Sequence, residues 1–189
     1  INPGNSGGPL VGLNGNVIFD WALGRGHQYF LDWIGQDFEG IIGSDAYEVY
    51  PKYCRLQKAR GRKARRAACL AHIRRKFEEA LKTSPHLAKW FLKIFGKLYQ
   101  IEATLKERDA DEITTARYRQ RHSLPLIRVL KKASLHLRDQ KAGRPAGPLG
   151  KAVRYLLNQG EDIETYVHHG QVEIDNNGNV NTYKINPDS

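Results

Sequence analysis

The chain has no methionine and only two cysteines, Cys54 and Cys69, among its 189 residues. Two cysteines cannot build a disulfide framework, so the sequence predicts reduced thiols and gives no sign of an oxidising compartment. Methionine is missing even from position 1, which reads as a fragment of a longer protein. No apolar run approaches the roughly 18 residues that a membrane span requires. The start, Ile1-Asn2-Pro3-Gly4, has neither the basic flank nor the apolar stretch of a signal peptide. The expectation is a soluble, cytoplasmic protein with no membrane partner. Hydrophobic residues at 40% and charged residues at 26% supply enough apolar material for a core, which excludes wholesale disorder.

Acidic residues are scarcest where basic ones concentrate. The totals, 30 Lys+Arg against 20 Asp+Glu, give a formal charge of +10. Lys52, Arg55, Lys58, Arg60, Arg62, Lys63, Arg65, Arg66, Arg74, Arg75 and Lys76 fall in one stretch without an Asp or Glu between them. Such a cluster points to a polyanion. A solvated loop followed by a helix face is the bland alternative. Nucleic acid is favoured because arginine holds phosphate bidentately and nothing acidic nearby neutralises the run. An anionic membrane surface fits less well, since the stretch has few large apolar residues for an interfacial helix to bury.

Two apolar runs flank Asn14-Gly15, a dipeptide that accepts the positive φ angles of a tight turn, so residues 8–22 read as a β-hairpin. Tyr29, Phe30, Trp33 and Ile34 recur at helical spacing before Gly35. Gly40-Ile41-Ile42-Gly43 reads as a strand delivering Ser44 and Asp45 at its carboxyl end. A helix from Ala46 to Tyr53, a basic loop and a short strand from Ala67 to Leu70 follow, an alternation that predicts an α/β sheet. From His72 the pattern turns helical, broken at Ser84-Pro85. Leu87, Phe91, Ile94, Leu98, Ile101 and Leu105 step by fours and threes along one seam of a helix. Leu126, Ile127, Leu130, Ser134 and Leu137 offer a partner seam from a later helix, with Ser123 as its expected N-cap and Pro125 in its first turn. Gly143 to Gly150 reads as a linker, Lys151 to Gln159 as an amphipathic helix, and the tail from Asn176 as loosely ordered.

Gly4-Asn5-Ser6-Gly7-Gly8-Pro9-Leu10 sets a serine among glycines that let the backbone aim amides at an oxyanion. With Val11, Gly15 and Val17, it resembles the nucleophile segment of HtrA/Deg-type trypsin-like serine proteases over about residues 1–18. That family carries its triad histidine and aspartate upstream of the serine, where this chain has nothing. A serine hydrolase acting through Ser6 is therefore the least favoured of the functions weighed.

A second set of motifs spans about residues 17–178. These are Phe19-Asp20-Trp21 through Arg25, Phe30-Leu31, Asp37-Phe38-Glu39-Gly40, Ser44-Asp45-Ala46-Tyr47 with Tyr50, and Cys69-Leu70-Ala71-His72-Ile73-Arg74-Arg75-Lys76-Phe77. Pro148-Leu149-Gly150-Lys151-Ala152, Tyr155-Leu156-Leu157-Asn158-Gln159 and Glu173-Ile174-Asp175-Asn176-Asn177 follow in order. Together they resemble the catalytic core of the insertion-sequence-66 family of DDE transposases. The resemblance implies an α/β fold: a ribonuclease-H-like mixed sheet, truncated at its amino-terminal strands, with a large α-helical insertion. Beside the protease-like hairpin segment over 1–18, it implies core over 17–83 and 147–178, insertion over 84–146 and a tail over 179–189. It also implies DNA strand cleavage and transfer through two Mg²⁺ or Mn²⁺ ions held by three carboxylates. Asp45 matches the second carboxylate and is the expected metal ligand, although an aspartate after Gly43-Ser44 also suits turn capping.

Two departures bear on activity. The strand that should carry the first aspartate is replaced by the protease-like segment. At the other end, aligning Asp175-Asn176-Asn177 leaves Val180 where the family has its catalytic glutamate. Glu173 and Asp175 are the nearest substitutes. The expected DNA-binding residues are Arg60, Arg62, Lys63, Arg65, Arg66, His72, Arg74, Arg75 and Lys76. The predicted function is a catalytically incomplete transposase fragment that keeps DNA binding. A non-enzymatic helical binding or structural remnant, contacting nucleic acid or another transposase subunit through the Leu87–Leu105 seam, is the alternative, and a homo-oligomer is a further expected partnership. Cys69 and His72 have a C-x-x-H spacing that suits half of a zinc site, with Cys54, His168 and His169 as candidates for the rest, but a buried strand cysteine with a helix-start histidine explains the same residues. Tyr47, Tyr50 and Tyr53 suit base stacking or packing against the sheet equally.

Overall fold

The computed structural model describes residues 9–11, 17–19, 34–35, 37–140, 146–176 and 181–183. The chain divides into two compact units, one of residues 1–67 with 176–189 and one of residues 68–175.

In the first unit, β1 (Pro9–Val11) pairs antiparallel with β2 (Val17–Phe19), matching Pro9 to Phe19 and Val11 to Val17. This is the hairpin expected around Asn14-Gly15, whose turn residues lie outside the described residues, as do Ser6 and the helix expected at Tyr29, Phe30 and Trp33. A second sheet has the order β4-β3-β5. Its centre is β3 (Gly40–Ser44), buried at all five positions, as a strand with neighbours on both edges requires. From β3 the chain passes through α1 (Val49–Ala59) to β4 (Ala64–Ala68). A hydrogen bond of 3.0 Å from Gly40 N to Lys63 O joins the amino ends of the two strands, so they run parallel, as a helical crossover demands. β5 (Asn181–Tyr183) lies antiparallel on the other edge of β3, with Ile41 opposite Tyr183 and Gly43 opposite Asn181. The sheet is therefore mixed. Ile34, Phe38, Ile42, Val49, Tyr53, Cys54 and Ala64 form the core beside it.

Three expectations change in this unit. The helix after Asp45 runs over Val49–Ala59 instead of Ala46–Tyr53; Pro51 sits in its first turn, where a missing N–H costs nothing. It stops at Gly61, whose φ of 77° lets the N–H groups of Arg60, Gly61 and Arg62 turn back onto the carbonyls of Leu56, Gln57 and Lys58. The next strand begins at Ala64 instead of Ala67, taking Arg65 and Arg66 out of the expected loop. The tail is not uniformly loose, because β5 lies within it.

The second unit is helical. Its α2 (Leu70–Glu79) buries Leu70, Ile73 and Phe77. After a 3₁₀ turn at Ala80–Lys82 comes α3 (Pro85–Glu107), with Ser84 at the N-cap and proline in the first turn. Phe77 stacks on Phe91 at 4.3 Å between ring centroids and lies 5.8 Å from Phe95. Burial of each ring contributes about 1.5–3 kcal/mol. The α3 seam is buried at Phe91, Ile94, Leu98 and Leu105, but Leu87 is exposed. Its partner α4 (Glu112–Asp139) buries Ile127, Leu130, Ser134 and Leu137, as expected.

The start of α4 is not where the sequence placed it. Ser123 is buried in mid-helix, and the N-cap is Asp111, whose carboxylate accepts the Thr114 N–H at 2.7 Å. Pro125 lies inside the helix on the exposed side, where its missing N–H is less costly than it would be against the core. Likewise α5 (Gly147–Asn158) begins inside the expected linker and buries Leu149 and Gly150. The short α6 (Thr165–His168) follows, and the chain closes onto α2 through hydrogen bonds from Ala68 N to Asp162 O and from Leu70 N to Ile174 O.

Candidate nucleic-acid interface and carboxylate sites

In the first unit the polar cluster is built at the carboxyl end of β3. Ser44 is buried and Asp45 half-buried. Arg66, buried on β4, donates from Nη1 to the Asp45 carbonyl at 2.7 Å and the Ser44 carbonyl at 3.4 Å. The Ser44 hydroxyl donates to the same Asp45 carbonyl at 3.2 Å. Asn176, also buried, donates from Nδ2 to the Gly43 carbonyl at 3.4 Å, and its Oδ1 is sealed from solvent with no hydrogen bond among the described residues. A guanidinium in this position fixes the backbone that ends the strand and so orients the aspartate it carries. The Asp45 carboxylate accepts the Tyr47 N–H through Oδ1 at 3.0 Å, the turn-capping role that its sequence context allowed.

The expected DNA-binding residues separate into different environments. Arg60, Lys63 and Arg65 are exposed, and none of the three forms an ion pair among the described residues. Arg62 pairs with Asp37. Arg66, expected among the phosphate-facing cations, is turned inward onto carbonyls. The reason is chemical: in the strand interior it satisfies acceptors that end β3, and a charge so bonded tolerates burial.

In the second unit His72 sits in the first turn of α2, half-buried, with Nδ1 sealed and lacking a hydrogen-bond partner among the described residues. Arg74 pairs with Glu78 at 2.9 Å and lies 5.8 Å from the Tyr99 ring centre. Lys76 pairs with Glu79 at 2.9 Å. Arg75 is exposed and forms no ion pair among the described residues. Of this basic triplet, two cations are engaged locally by acids one helical turn on.

Glu173 is exposed and Asp175 half-buried. Asp175 is hydrogen-bonded to the Tyr99 side chain, and burial, followed by the Asp175 charge and that bond, pushes the Tyr99 hydroxyl far above the ordinary tyrosine range. Asp45 belongs to the first unit, whereas Glu173 and Asp175 precede the boundary at Asn176 and belong to the second. Among the described residues no three His, Cys, Asp or Glu side chains gather as a metal centre would need. Cys54 and Cys69 are both buried and form no disulfide among the described residues. Tyr53 is fully buried, donating to the Gly35 carbonyl at 2.7 Å, while Tyr50 packs against the core. Tyr47 is exposed and meets Tyr50 edge-on at 6.1 Å.

One functional-looking arginine escaped the sequence reading. Arg119 on α4 is buried, binds both oxygens of Glu102 on α3, and donates to the carbonyls of Tyr166 at 3.0 Å and Val172 at 2.7 Å. Its guanidinium lies 5.1 Å from the Tyr166 ring centre. The signal was present: Arg119 precedes Ser123, Ile127 and Leu130 at the spacing of the buried stripe.

The profile of the family described as "Transposase IS66 family" matches residues 11–181, a span that begins after Ser6. The chain is 32% identical to the uncharacterized protein y4jD of Sinorhizobium fredii over 142 residues, covering 74% of this chain and 27% of that protein. To the uncharacterized protein y4qI of the same organism it is 27% identical over 169 residues, covering 85% of this chain and 30% of that protein. The chain thus spans between a quarter and a third of the length of these relatives. No solved structure matches it. Among the described residues no helix is long and apolar enough to cross a membrane.

Proposed function

From the premise that the chain belongs to the IS66 transposase family, we propose that it is a ribonuclease-H-like piece of a DNA-transposing protein that binds duplex DNA without cleaving it efficiently. The observation that carries the DNA part is the trio Arg60, Lys63 and Arg65, exposed and in no ion pair among the described residues, at the turn from α1 into β4. Exposed cations on such a turn suit phosphate oxygens, each one displacing a condensed counterion on binding. Arg75 adds a further cation on α2.

The incomplete-catalysis part rests on the donor set. Two-metal chemistry on phosphate needs several carboxylate oxygens converging on one point. Asp45 supplies one carboxylate, already engaged through Oδ1 with the Tyr47 N–H. Asp175 is held by Tyr99, and Val180 offers no ligand where the family places glutamate. The described residues therefore do not fit a divalent pair, and no reaction step is routed through one.

The test is nicking of supercoiled plasmid in Mg²⁺ and in Mn²⁺ by the chain and by Asp45→Ala, purified side by side. Equal, background nicking is expected. Nicking lost in the variant would overturn the reading of a defective centre and assign Asp45 a working partner.

A further inference from the structure

Helix α4 carries no Asp or Glu between Glu112 and Asp139. Two of the cations in that interval have tertiary acid partners: Arg119 binds Glu102, and Lys131 binds Glu164 at 2.6 Å. Arg117, Arg121, Arg128 and Lys132 are all exposed, and none forms an ion pair among the described residues. At about 100° per residue these four fall within a sector of about 60°, opposite the buried stripe, and they span about 22 Å of helix axis. Pro125 occupies the same exposed side between them.

A merely solvated helix face has an easier solution. It mixes signs, because Glu and Lys one turn apart support the helix, whereas like charges at that spacing oppose it. Here both one-turn pairs, Arg117 with Arg121 and Arg128 with Lys132, are like-charged. The helix tolerates this repulsion while spending its acid partners on the two cations that face inward. A rod of exposed charge with no ion pair among the described residues, three parts arginine, matches a ligand that is itself a rod of regularly spaced oxyanions. A membrane surface fits less well, because the sector holds only one large apolar side chain, Leu135, beside the cations.

We propose that Arg117, Arg121, Arg128 and Lys132 on α4 form a second duplex-DNA contact, gripping the phosphate backbone along the helix independently of the Arg60–Arg65 turn. This rests on the DNA-binding reading above. The full chain is titrated onto a fluorescent duplex of arbitrary sequence at several salt concentrations. It is compared with the quadruple variant Arg117→Gln, Arg121→Gln, Arg128→Gln, Lys132→Gln, and with a charge-matched control, Lys89→Gln, Lys93→Gln, Lys97→Gln, Lys106→Gln on exposed positions of α3. Circular dichroism confirms that both keep their helix content.

The α4 variant is expected to bind at least tenfold more weakly in low salt. Its dependence of log K on log salt should be shallower by about 3 to 4, while the control moves far less. Equal losses in the two variants would reduce the effect to net charge and overturn the stripe. Unchanged binding by the α4 variant, with a wild type that binds, would overturn the stripe alone. A wild type that ignores duplex DNA but binds vesicles of phosphatidylserine would overturn both the stripe and the DNA reading on which it rests.

Discussion

Arg119 grips Glu102 along both edges of the carboxylate, Nε to Oε1 at 3.0 Å and Nη2 to Oε2 at 2.6 Å, with the arginine side chain 5% exposed. The remaining Nη1 holds carbonyls of the segment from Tyr166 to Val172. One side chain therefore ties α4 to α3 and to the chain that follows α6. Breaking a buried pair leaves a charge without a counterpart, so Arg119→Ala is expected to cost about 3–5 kcal/mol in urea unfolding. Glu102→Ala should cost less than that, since the carbonyls still satisfy part of the guanidinium. The double variant should fall well short of the sum of the two, the signature of a shared interaction.

Gly170 lies against the first turn of α4. A Cβ there would sit well inside contact distance of the Glu112 backbone carbonyl, an obstacle that no rotamer can relieve. Gly170→Ala is expected to destabilise the chain by about 1–3 kcal/mol through forced backbone displacement. The same change at Gly96, which is exposed on α3 with open space around its Cβ position, should stabilise by up to about 1 kcal/mol through helix propensity. Thermal melts of the two variants, moving in opposite directions, check both.

Three tyrosines resist ionisation. Burial raises Tyr53, Tyr99 and Tyr166, and Asp175 adds to the rise at Tyr99 while Glu102 adds to it at Tyr166. A group whose folded pKa lies above its unfolded value binds more protons when folded. Its stabilising contribution is complete below pH of about 10 and is lost as pH climbs past the unfolded tyrosine value. Stability should therefore fall from about pH 10 upward. Tyr99→Phe should flatten that fall, and denaturant unfolding at pH 8 and pH 10.5 measures it. An unaltered slope in the variant would mean that Tyr99 ionises as freely in the folded chain as in the unfolded one.

The elements that local pattern specifies were legible. Gly40-Ile41-Ile42-Gly43 reads as a buried strand because no polar residue interrupts it, and the Phe91, Ile94, Leu98, Leu105 seam reads as a helix because its spacing is helical throughout. What local pattern could not show was where an arginine finds acceptors. Arg66 reaches carbonyls 21 and 22 residues away, and Arg119 reaches carbonyls 47 to 53 residues away. Without those partners a strand arginine looks like loop and a helix arginine like surface. The start of α4 was misplaced for a related reason. Ser123 and Pro125 carry a helix-start signature, but eleven residues of helix precede Ser123, from Glu112 to His122, and packing overrides the signature. Of the candidate site, Asp45 at a strand end was readable, whereas the engagement of Asp175 with Tyr99 depends on a partner 76 residues earlier in the chain.

Arg65 and Arg66 are neighbours on β4 with opposite environments, one exposed and one 3% exposed. Alternation along a strand sends them to opposite faces, so adjacent identical residues should report different physics. Arg66→Ala is expected to destabilise the fold by several kcal/mol, since it abandons the carbonyls of Ser44 and Asp45 and opens a cavity beside buried Ser44. The triple variant Arg60→Gln, Lys63→Gln, Arg65→Gln should leave the melting temperature nearly unchanged, because exposed cations without ion partners contribute little to folding. Its log K for duplex DNA should instead depend on log salt with a slope smaller by about 2 to 3, one counterion per lost phosphate contact. Melting curves and salt-dependent anisotropy on the two variants separate the roles. A triple variant that binds DNA with the wild-type slope would remove the α1–β4 turn from the interface, and an Arg66→Ala chain of wild-type stability would remove the carbonyl clamp from the fold.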